Sequence, residues 1–276
     1  MPIRLLVLGG GSFVGRALVA DGLARRWEVT TFTRGRTPGI DDPRVARRIG
    51  DRTDPATLAP LGDREWVDYA AAKRGAELAI ATGFGERALL ARCGLILGPH
   101  EDVGRLPWWL TRLARGGEVL APGPPSLPLQ YIDARDLAHF ALGAALAGHG
   151  GPVNVVSRRG HATMGSLLKT AARVAAAPGT RLWWTEPAAL AQAGVEPWTE
   201  LPIWIPPGHQ YEGMHGADVE RAHALGLRCR PVADTVADTW AWMAGLPGAT
   251  PRRPDLPAPG IDPERERAVL QAAHQL

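Results

Sequence analysis

Tyr69 and Lys73 form a pair that could carry acid–base chemistry. They are spaced as YxxxK in a segment whose composition predicts a helix over residues 69–81, and positions i and i+4 share one face of a helix. A phenol has a pKa of about 10 and is a poor proton donor or acceptor at neutral pH unless a nearby cation stabilises the phenolate. Lys73 supplies that cation, and its N–H donors could also bind ribose hydroxyls. The alternative is an incidental pair on a helix surface.

A glycine-rich turn near the N-terminus is the second feature with a chemical use. The sequence LGGGSFVG follows an apolar run and opens a helical pattern, which is where dinucleotide-binding folds place their glycine fingerprint. Glycine permits positive φ and close backbone approach to a pyrophosphate, and the N–H groups of a helix N-terminus attract phosphate. Ser12 stands where the fingerprint has its middle glycine, so the match is imperfect, and a merely tight turn is the alternative. The residues predicted to bind the cofactor here are Gly9, Gly11, Ser12, Phe13, Val14 and Gly15.

The residues after the second apolar run indicate which dinucleotide is bound. Many NAD-binding proteins place an acid there for the ribose hydroxyls, but this segment reads TFTRGR. Arg34 and Arg36 could instead hold a 2′-phosphate through charge-assisted hydrogen bonds. We therefore expect NADP as the first choice of cofactor and NAD as the second. Asp51 follows the third apolar run, where it could accept a hydrogen bond from the adenine amino group or cap the next helix.

Strands and helices must position these residues, and the spacing of the apolar residues predicts an α/β fold. Residues 3–8, 28–32 and 45–49 read as strands, the first of them buried, and residues 14–23 read as a helix. This order is typical of a parallel sheet with crossover helices. We expect a Rossmann-type doubly wound sheet to form a dinucleotide-binding domain over residues 1–156. A smaller C-terminal lobe that binds substrate is expected over residues 157–276.

The rest of the chain predicts further elements of the same kind. One apolar strand is expected within residues 87–97, before Gly98 and Pro99. Beyond Ser157, prolines and tryptophans cluster, which indicates long loops with few regular elements. The other predicted elements are helices over residues 106–114, 134–146, 218–225, 232–243 and 263–275, and strands at 131–132 and 153–156.

Composition excludes several classes of protein. The 276 residues are 45% hydrophobic and 21% charged, which is typical of a folded globular protein and excludes wholesale disorder. No apolar run approaches the ~18–20 residues of a membrane helix, and the N-terminus reaches glycine too early for a signal peptide, so we expect a cytoplasmic protein without a membrane partner. The net charge of +3, with scattered arginines, does not favour nucleic-acid binding. Two cysteines, Cys93 and Cys229, are too few for a disulfide framework.

Four other residues have side chains that could form a rival site. His209, Glu212 and His215 form HxxExxH in a segment flanked by glycine and proline, which is not the helical HExxH spacing of a zinc site. We therefore expect no metal. His100 follows Pro99 and could carry a proton, the alternative being an ordinary loop histidine.

Together with these motifs, the rest of the chain resembles the extended short-chain dehydrogenase/reductase superfamily, in its NAD-dependent epimerase/dehydratase branch. It looks closest to a bacterial subgroup of reductases or epimerases. The resemblance runs through nearly all of the chain. Its motifs are LGGGSFVGR, FTRGRTP, GDRTD, YAAAK, RCGLILGPHED, GGEVLAPGPPSLPLQYIDARDLAHF, GVEPWTELPIWIP, GLRCRPVADTVADTWAW and GIDPERERAVL.

The resemblance implies roles for particular residues. Gly9, Gly15, Arg34, Tyr69 and Lys73 would bind the cofactor, and Tyr69 with Lys73 would also be catalytic. The remaining implied residues face the nicotinamide or the substrate: Pro99 near the nicotinamide, His100 and Gln130 at the substrate, and Trp198 with Trp204 lining an apolar substrate pocket. Tryptophans in a small lobe are, however, more often part of its core.

One departure from the family is large. Relatives carry an additional stretch between the third strand and the YxxxK helix, which supplies two central strands and the serine or threonine of the catalytic triad. No serine occurs between Ser12 and Ser126 here, so that role has no candidate at its usual place. Either a segment of the protein is missing from this sequence, or the sheet is truncated and the first strand is left with an unpaired edge. We expect a break between Trp66 and Tyr69 or a sheet without its two central strands.

Two classes of function follow. The first is an NAD(P)-dependent oxidoreductase or epimerase that transfers hydride to or from a small-molecule substrate, with Tyr69 as the acid–base group and a homodimer left open. The second is a catalytically impaired binding protein that keeps the dinucleotide fold; some plant plastid relatives with this fold associate with RNA, and the resemblance to them is at the level of the fold only. The intact YxxxK pair favours the first class, and the missing serine favours the second.

Overall fold

The computed structural model describes residues 3–35, 39–49 and 69–274, with the backbone alone for residues 69–73. The described residues form two compact units. Unit 1 comprises the chain up to Arg92 together with residues 135–155 and 221–227, and unit 2 comprises the remainder from Cys93 onward. The chain passes from unit 1 to unit 2 between Val155 and Val156, which is beside the expected domain boundary. The division into a dinucleotide-binding domain over 1–156 and a substrate lobe over 157–276 stays a prediction.

Unit 1 begins with strand, helix and strand in the predicted order. Its elements are β1 (Arg4–Leu8), α1 (Phe13–Ala24), β2 (Glu28–Thr33), β3 (Val45–Ile49), α2 (Tyr69–Phe84), β4 (Leu89–Arg92), and most of the later α4 (Ala134–Leu146), β9 (Gly151–Asn154) and α8 (Glu220–Ala224). The strands β1, β2 and β3 form a parallel sheet in the order β1-β2-β3. Valines from each strand pack with Val19 and Leu23 of α1 into a small core. The predicted α/β class and parallel sheet are confirmed.

The prediction that the first strand is buried holds for one of its two faces only. Val7 is buried beneath α1, but Leu6 and Leu8 are 60% and 52% exposed on the opposite face. Side chains alternate between the two faces of a strand, and among the described residues β1 pairs only with β2. The described sheet therefore ends at β1, as expected for a sheet without its central strands. The junction between residues 66 and 69 lies outside the described residues, as do Arg36 and Asp51.

The second part of unit 1 is a parallel pair of strands, β4 with β9. The side chain of Arg92 in β4 donates two hydrogen bonds to Glu77 of α2, at 2.8 and 2.7 Å. Arg74 donates a third to the same carboxylate at 3.2 Å. These donors, Arg92 first, lower the pKa of Glu77 to about 2. The helix that begins at Tyr69 is therefore fastened to β4.

Unit 2 contains an extensive hydrophobic core. Its elements are β5 (Leu95–Leu97), α3 (Arg105–Ala114), β6 (Glu118–Pro122), β7 (Pro128–Leu129), β8 (Tyr131–Asp133), β10 (Ala162–Thr163), α5 (Met164–Ala175), β11 (Arg181–Thr185), α6 (Pro187–Gln192), α7 (His209–His215), α9 (Val232–Ala244) and α10 (Pro263–Ala273). Parallel pairs join β5 to β8 and β6 to β11, and an antiparallel pair joins β7 to β10. Trp109, Trp204 and Tyr131 are the largest side chains fully buried within it.

Two expectations for this part of the chain are corrected. The single strand expected over residues 87–97 is two strands, β4 and β5, interrupted at Cys93 and Gly94. The expected long loops after Ser157 contain the 12-residue helix α5 and the strand β11, because the buried face of α5 packs against α3 and β11 pairs with β6.

Candidate functional site

The glycine turn joins β1 to α1 in a geometry that only glycine allows. Gly9 has φ +91°, and its N–H donates to the carbonyl oxygen of Phe32 in β2 at 2.9 Å. A Cβ atom built on Gly15 would lie closer than 3.0 Å to the carbonyl oxygen of Gly9, and one on Gly10 would lie 2.5 Å from Cγ2 of Thr31. The first turn of α1 is therefore pressed against the end of β1, which is the close approach a dinucleotide cradle needs.

The N-terminus of α1 presents backbone donors at this turn. Ser12 is the N-cap residue with extended φ and ψ, and it makes no side-chain cap bond; its hydroxyl donates instead to the carbonyl oxygen of Gly9 at 2.9 Å. The first turn contains no acidic residue. Helix N-terminal N–H groups without a cap attract anions. The residues present therefore fit the pyrophosphate of a dinucleotide.

Arg16 supports the turn and was not singled out by the sequence. Its Nε donates to the carbonyl oxygen of Gly11 at 3.1 Å, and its guanidinium also donates to the carbonyl oxygen of Gly39 at 3.4 Å. Burial lowers the pKa of Arg16. One side chain thus ties the glycine turn to the loop that follows β2. The arginine directly after Gly15 was the available signal.

Arg34 follows the last residue of β2 and is exposed. The parallel register pairs Leu8 with Phe32, so the carboxyl ends of β1 and β2 lie at the same edge of the sheet. Arg34 therefore emerges from the edge that carries the glycine turn. Ligands of open α/β sheets bind outside this edge.

The backbone of α2 begins at Tyr69, which places Tyr69 and Lys73 one turn apart on a helix. This agrees with the predicted helix over 69–81, and the helix extends to Phe84. The side chains of both residues lie outside what the structure describes.

In unit 2, Pro99 and His100 belong to a tight turn before α3. Glu101 N–H donates to the carbonyl oxygen of Gly98 at 3.3 Å, and His100 has φ +69°. The exposed imidazole of His100 lies against the indole of Trp242, with ring centroids 5.1 Å apart. A non-glycine residue at positive φ is costly and is found where the surroundings require it.

Glu101 is a buried carboxyl group that sequence reasoning did not single out. It is fully buried, and its two oxygens accept hydrogen bonds from the N–H groups of Arg105 and Leu106, at 2.7 and 3.2 Å. It therefore caps the N-terminus of α3. Burial raises its pKa to about 7, against the lowering effect of these hydrogen bonds.

Gln130 is buried and forms hydrogen bonds within the protein through both its side chain and its backbone. Its amide nitrogen donates to the carbonyl oxygens of Ser157 and Ala217, both at 3.0 Å, and its amide oxygen accepts from Ala217 N–H at 2.8 Å. The backbone N–H of Gln130 donates to Nδ1 of His215 at 3.0 Å. These bonds fix the residue in the fold, and its role toward a substrate stays a prediction.

The two tryptophans named as pocket residues have different surroundings. Trp204 is 1% exposed and belongs to the core of unit 2. This agrees with the alternative that tryptophans of this lobe form part of its core. Trp198 is half-buried with φ +65°, and the guanidinium carbon of Arg105 lies 4.6 Å from its ring centroid. The N–H of Trp198 donates to the carbonyl oxygen of Trp204 at 3.0 Å.

The residues of HxxExxH are used in other ways. Glu212 pairs with Arg159 at 2.8 Å, and the Nδ1 atom of His215 accepts from Gln130. His215 is fully buried, its pKa is lowered mainly by burial, and within the described chain its Nε2 atom has no hydrogen-bond partner. No three histidine, cysteine or acidic residues among those described are placed to hold a metal ion.

The predicted site residues thus divide between the units. The glycine turn, Arg34 and the backbone of Tyr69 and Lys73 belong to unit 1, whereas Pro99, His100, Gln130, Trp198 and Trp204 belong to unit 2. Within unit 1 the structure brings together the glycine turn and Arg34, which emerge at the same edge of the sheet, and within unit 2 it brings together Trp198 and Trp204 through one backbone hydrogen bond.

Known structures match this chain over most of its length, although no family model and no curated protein matches its sequence. The UDP-glucose 4-epimerase of Thermus thermophilus, in complex with NAD, is 17% identical with a TM-score of 0.61, over 88% of this chain and 99% of that one. The enzyme WbmH of Bordetella bronchiseptica, in complex with NAD+, is 13% identical with a TM-score of 0.60 over the same shares. The chain has the fold of these enzymes.

A third match has the same Rossmann-type fold. DesIV, a dTDP-glucose 4,6-dehydratase of Streptomyces venezuelae with NAD and TYD bound, is 17% identical with a TM-score of 0.57, over 88% of this chain and 97% of that one. The expected fold, that of epimerases and dehydratases with a Rossmann-type sheet, is therefore confirmed. Separately, none of the described helices is both long enough and apolar enough to span a lipid bilayer.

Proposed function

We propose that this chain binds a nicotinamide dinucleotide at the glycine turn and is an NAD(P)-dependent oxidoreductase or epimerase of the extended short-chain dehydrogenase/reductase type. The close approach of Gly15 to the carbonyl oxygen of Gly9 carries the proposal. Structural neighbours with NAD bound support it at the level of the fold.

The turn would hold the pyrophosphate through backbone groups. The N–H groups of Phe13 and Val14 start α1, and the helix dipole places partial positive charge there. Arg16 keeps the turn in place by its bond to the carbonyl oxygen of Gly11. Gly9 has φ +91° and a Cβ on Gly15 would meet the carbonyl oxygen of Gly9, so glycine at both positions lets the turn close. Gly11 and Ser12 would contribute backbone groups to the same cradle.

The choice between cofactors would be made by the arginines after β2. Arg34 emerges at the cofactor edge of the sheet, and Arg36 lies two residues further along the chain. A guanidinium binds a 2′-phosphate in a bidentate manner. We propose NADP as the preferred cofactor and NAD as the second, although the matched structures contain NAD.

Tyr69 and Lys73 would supply the proton chemistry. A bound nicotinamide ring provides the site that accepts or donates hydride. Tyr69 would give a proton to, or take one from, the substrate oxygen on the carbon that exchanges hydride. Lys73 would stabilise the phenolate and so lower the pKa of Tyr69 toward the working pH. Asp51 would accept a bond from adenine.

The substrate would be a small molecule. Pro99 would lie near the nicotinamide, and His100, Gln130 and Trp198 would contribute to the substrate side. Trp204 would support that side from the core, since it is buried and bonded through its carbonyl oxygen to Trp198.

A second candidate is a binding protein without catalysis. The observation that favours it is the absence of any serine between Ser12 and Ser126. Pre-steady-state transfer of deuteride from deuterated NADPH to added carbonyl compounds separates the two. If the chain is an enzyme, label appears in a product and Tyr69→Phe slows transfer by about 10²–10⁴. Binding of NADPH without transfer to any compound tested would favour the binding protein.

A further inference from the structure

A groove of about 430 Å³ lies on unit 2, apart from every residue discussed above as a site residue. It runs between α3, α9 and the chain segment that follows α9. Trp108 and Thr111, three residues apart, line it from α3. Trp240, Met243 and Ala244 line it from α9 and are likewise spaced by three and four residues. Each helix therefore offers one stripe of its surface.

The floor of the groove is apolar and aromatic. Trp108, Trp240 and Met243 are partly buried and pack on the core of unit 2 on one side. Their remaining exposed surface lines the groove, and aromatic side chains favour contact with an apolar or aromatic ligand. Volumes of about 300–1,000 Å³ are usual for small-molecule sites.

The third wall is fixed by backbone contacts. Arg253 N–H donates to the carbonyl oxygen of Asp102 at 2.9 Å, and Gly260 N–H donates to that of Thr199 at 2.6 Å. A Cβ on Gly260 would lie closer than 3.0 Å to the indole nitrogen of Trp108. The segment 252–260 is thus held against α3, so the groove is formed before any ligand binds.

The charge at the groove is positive. Arg252 is exposed on its rim with its side-chain stem near Gly104, and no ion pair to it is found within the described chain. None of the residues that line the groove is acidic. An arginine beside an apolar floor and without a carboxylate partner attracts an anionic group on an otherwise apolar molecule.

From these features we propose that the groove binds a small aromatic carboxylate. The ring would lie between Trp108 and Trp240, and the carboxylate would pair with Arg252. Ala244 leaves the space for the ring, and the hydroxyl of Thr111 offers a further polar contact. This site shares no residue with the cofactor turn and does not depend on the proposed function.

Calorimetric titration with 2-naphthoate and its neutral analogue 2-naphthamide tests the proposal. Wild-type protein should bind 2-naphthoate more tightly than 2-naphthamide. Arg252→Gln should lower the affinity for 2-naphthoate by about tenfold, because a charge-assisted hydrogen bond is lost, and should leave the affinity for 2-naphthamide unchanged. Ala244→Phe should abolish both by filling the groove. Arg252 and Ala244 are exposed, so both variants are expected to fold.

The matched control is Arg115→Gln, another exposed arginine of unit 2 that does not line the groove. It should change neither affinity. Absence of 2-naphthoate binding at millimolar concentration would overturn the proposal, as would equal affinity for both probes or a loss on Arg115→Gln equal to that on Arg252→Gln. A concentration-dependent dimer that Ala244→Phe dissociates would show that a second copy occupies the groove instead.

Discussion

Gly15 lies so close to the carbonyl oxygen of Gly9 that no side chain fits between them. The contact holds the start of α1 against the end of β1, where the N–H groups of the helix and the edge of the parallel sheet meet. An anion bound there would be reached by backbone donors alone. The same contact makes the turn sensitive to a single methyl group.

Gly15→Ala should destabilise unit 1, whereas Gly83→Ala should not. Both positions are helical, and alanine normally favours a helix by about 1 kcal/mol over glycine. A Cβ at position 83 meets nothing within 4 Å, but a Cβ at position 15 meets backbone atoms. Thermal unfolding should show a lower Tm for Gly15→Ala and an equal or higher Tm for Gly83→Ala. Similar gains in Tm for both variants would refute the close approach.

Arg34→Ala should reduce the preference for NADP over NAD. The guanidinium at the end of β2 is expected to pair with the 2′-phosphate, and such a bond contributes about 1.5–3 kcal/mol. Affinities for both cofactors, measured by titration, give the preference directly. Arg4→Ala is the control, since Arg4 begins β1 at the opposite edge of the sheet. A preference that is absent in the wild type, or unchanged by Arg34→Ala, would contradict the assignment.

Loss of one partner of the buried Arg112–Glu266 pair should destabilise the protein. Arg112 Nε lies 2.6 Å from Glu266, and the other carboxylate oxygen accepts the N–H of Leu120 at 3.1 Å. Glu266→Ala leaves a buried charge unpaired and should cost about 3–5 kcal/mol of unfolding free energy. The exposed pair of Arg253 and Asp255 is the comparison; Asp255→Ala should cost at most about 1 kcal/mol. Equal costs in urea unfolding would show that α10 is not anchored by this pair.

Glu101 should make the protein less stable as the pH rises through neutrality. Its folded pKa of about 7 lies above the usual value of a glutamate, so the folded state binds the proton more tightly than the unfolded state. That contribution is fully present below about pH 4.5 and is lost as the pH rises through about 7.

Glu101→Gln isolates this effect. It should remove the loss of stability between pH 5 and 8 and keep one acceptor for the start of α3. The exposed Glu86→Gln serves as control and should leave the pH profile unchanged. An unaltered profile in Glu101→Gln would show that the carboxyl group is ionised throughout. Burial of His215 lowers its pKa and acts in the opposite direction below about pH 6.5, so the difference from wild type is the quantity to compare.

The local signals in the sequence predicted the elements around the glycine turn closely. β3 and α4 have the predicted bounds, β1 and β2 differ from theirs by one residue at one end, and α1 is longer than predicted by one residue at each end. Each depends on apolar spacing and on glycine at a turn, both of which are local. The helix α5 was not predicted because its capping box, formed by Thr163 and Ser166, lacks the usual glutamate or glutamine.

The remaining features depend on pairings between distant residues. Arg112 and Glu266 are 154 positions apart, and Gln130 and His215 are 85 apart. Arg16 looked like one arginine among many, and only the folded chain brings it to Gly11 and Gly39. Whether a leucine of β1 is covered likewise depends on what packs on its face of the sheet, which the residues LLVL do not specify.

Calorimetric titration of NADPH into the wild-type protein and into Gly15→Ala, with Gly83→Ala as control, tests the central claim most directly. We expect saturable one-to-one binding to the wild type and to Gly83→Ala, and at least a tenfold weaker affinity for Gly15→Ala, because a displaced helix start misplaces the phosphate donors. Absence of NADPH and NADH binding to the folded wild type, or equal binding to all three proteins, would contradict a dinucleotide site at the glycine turn.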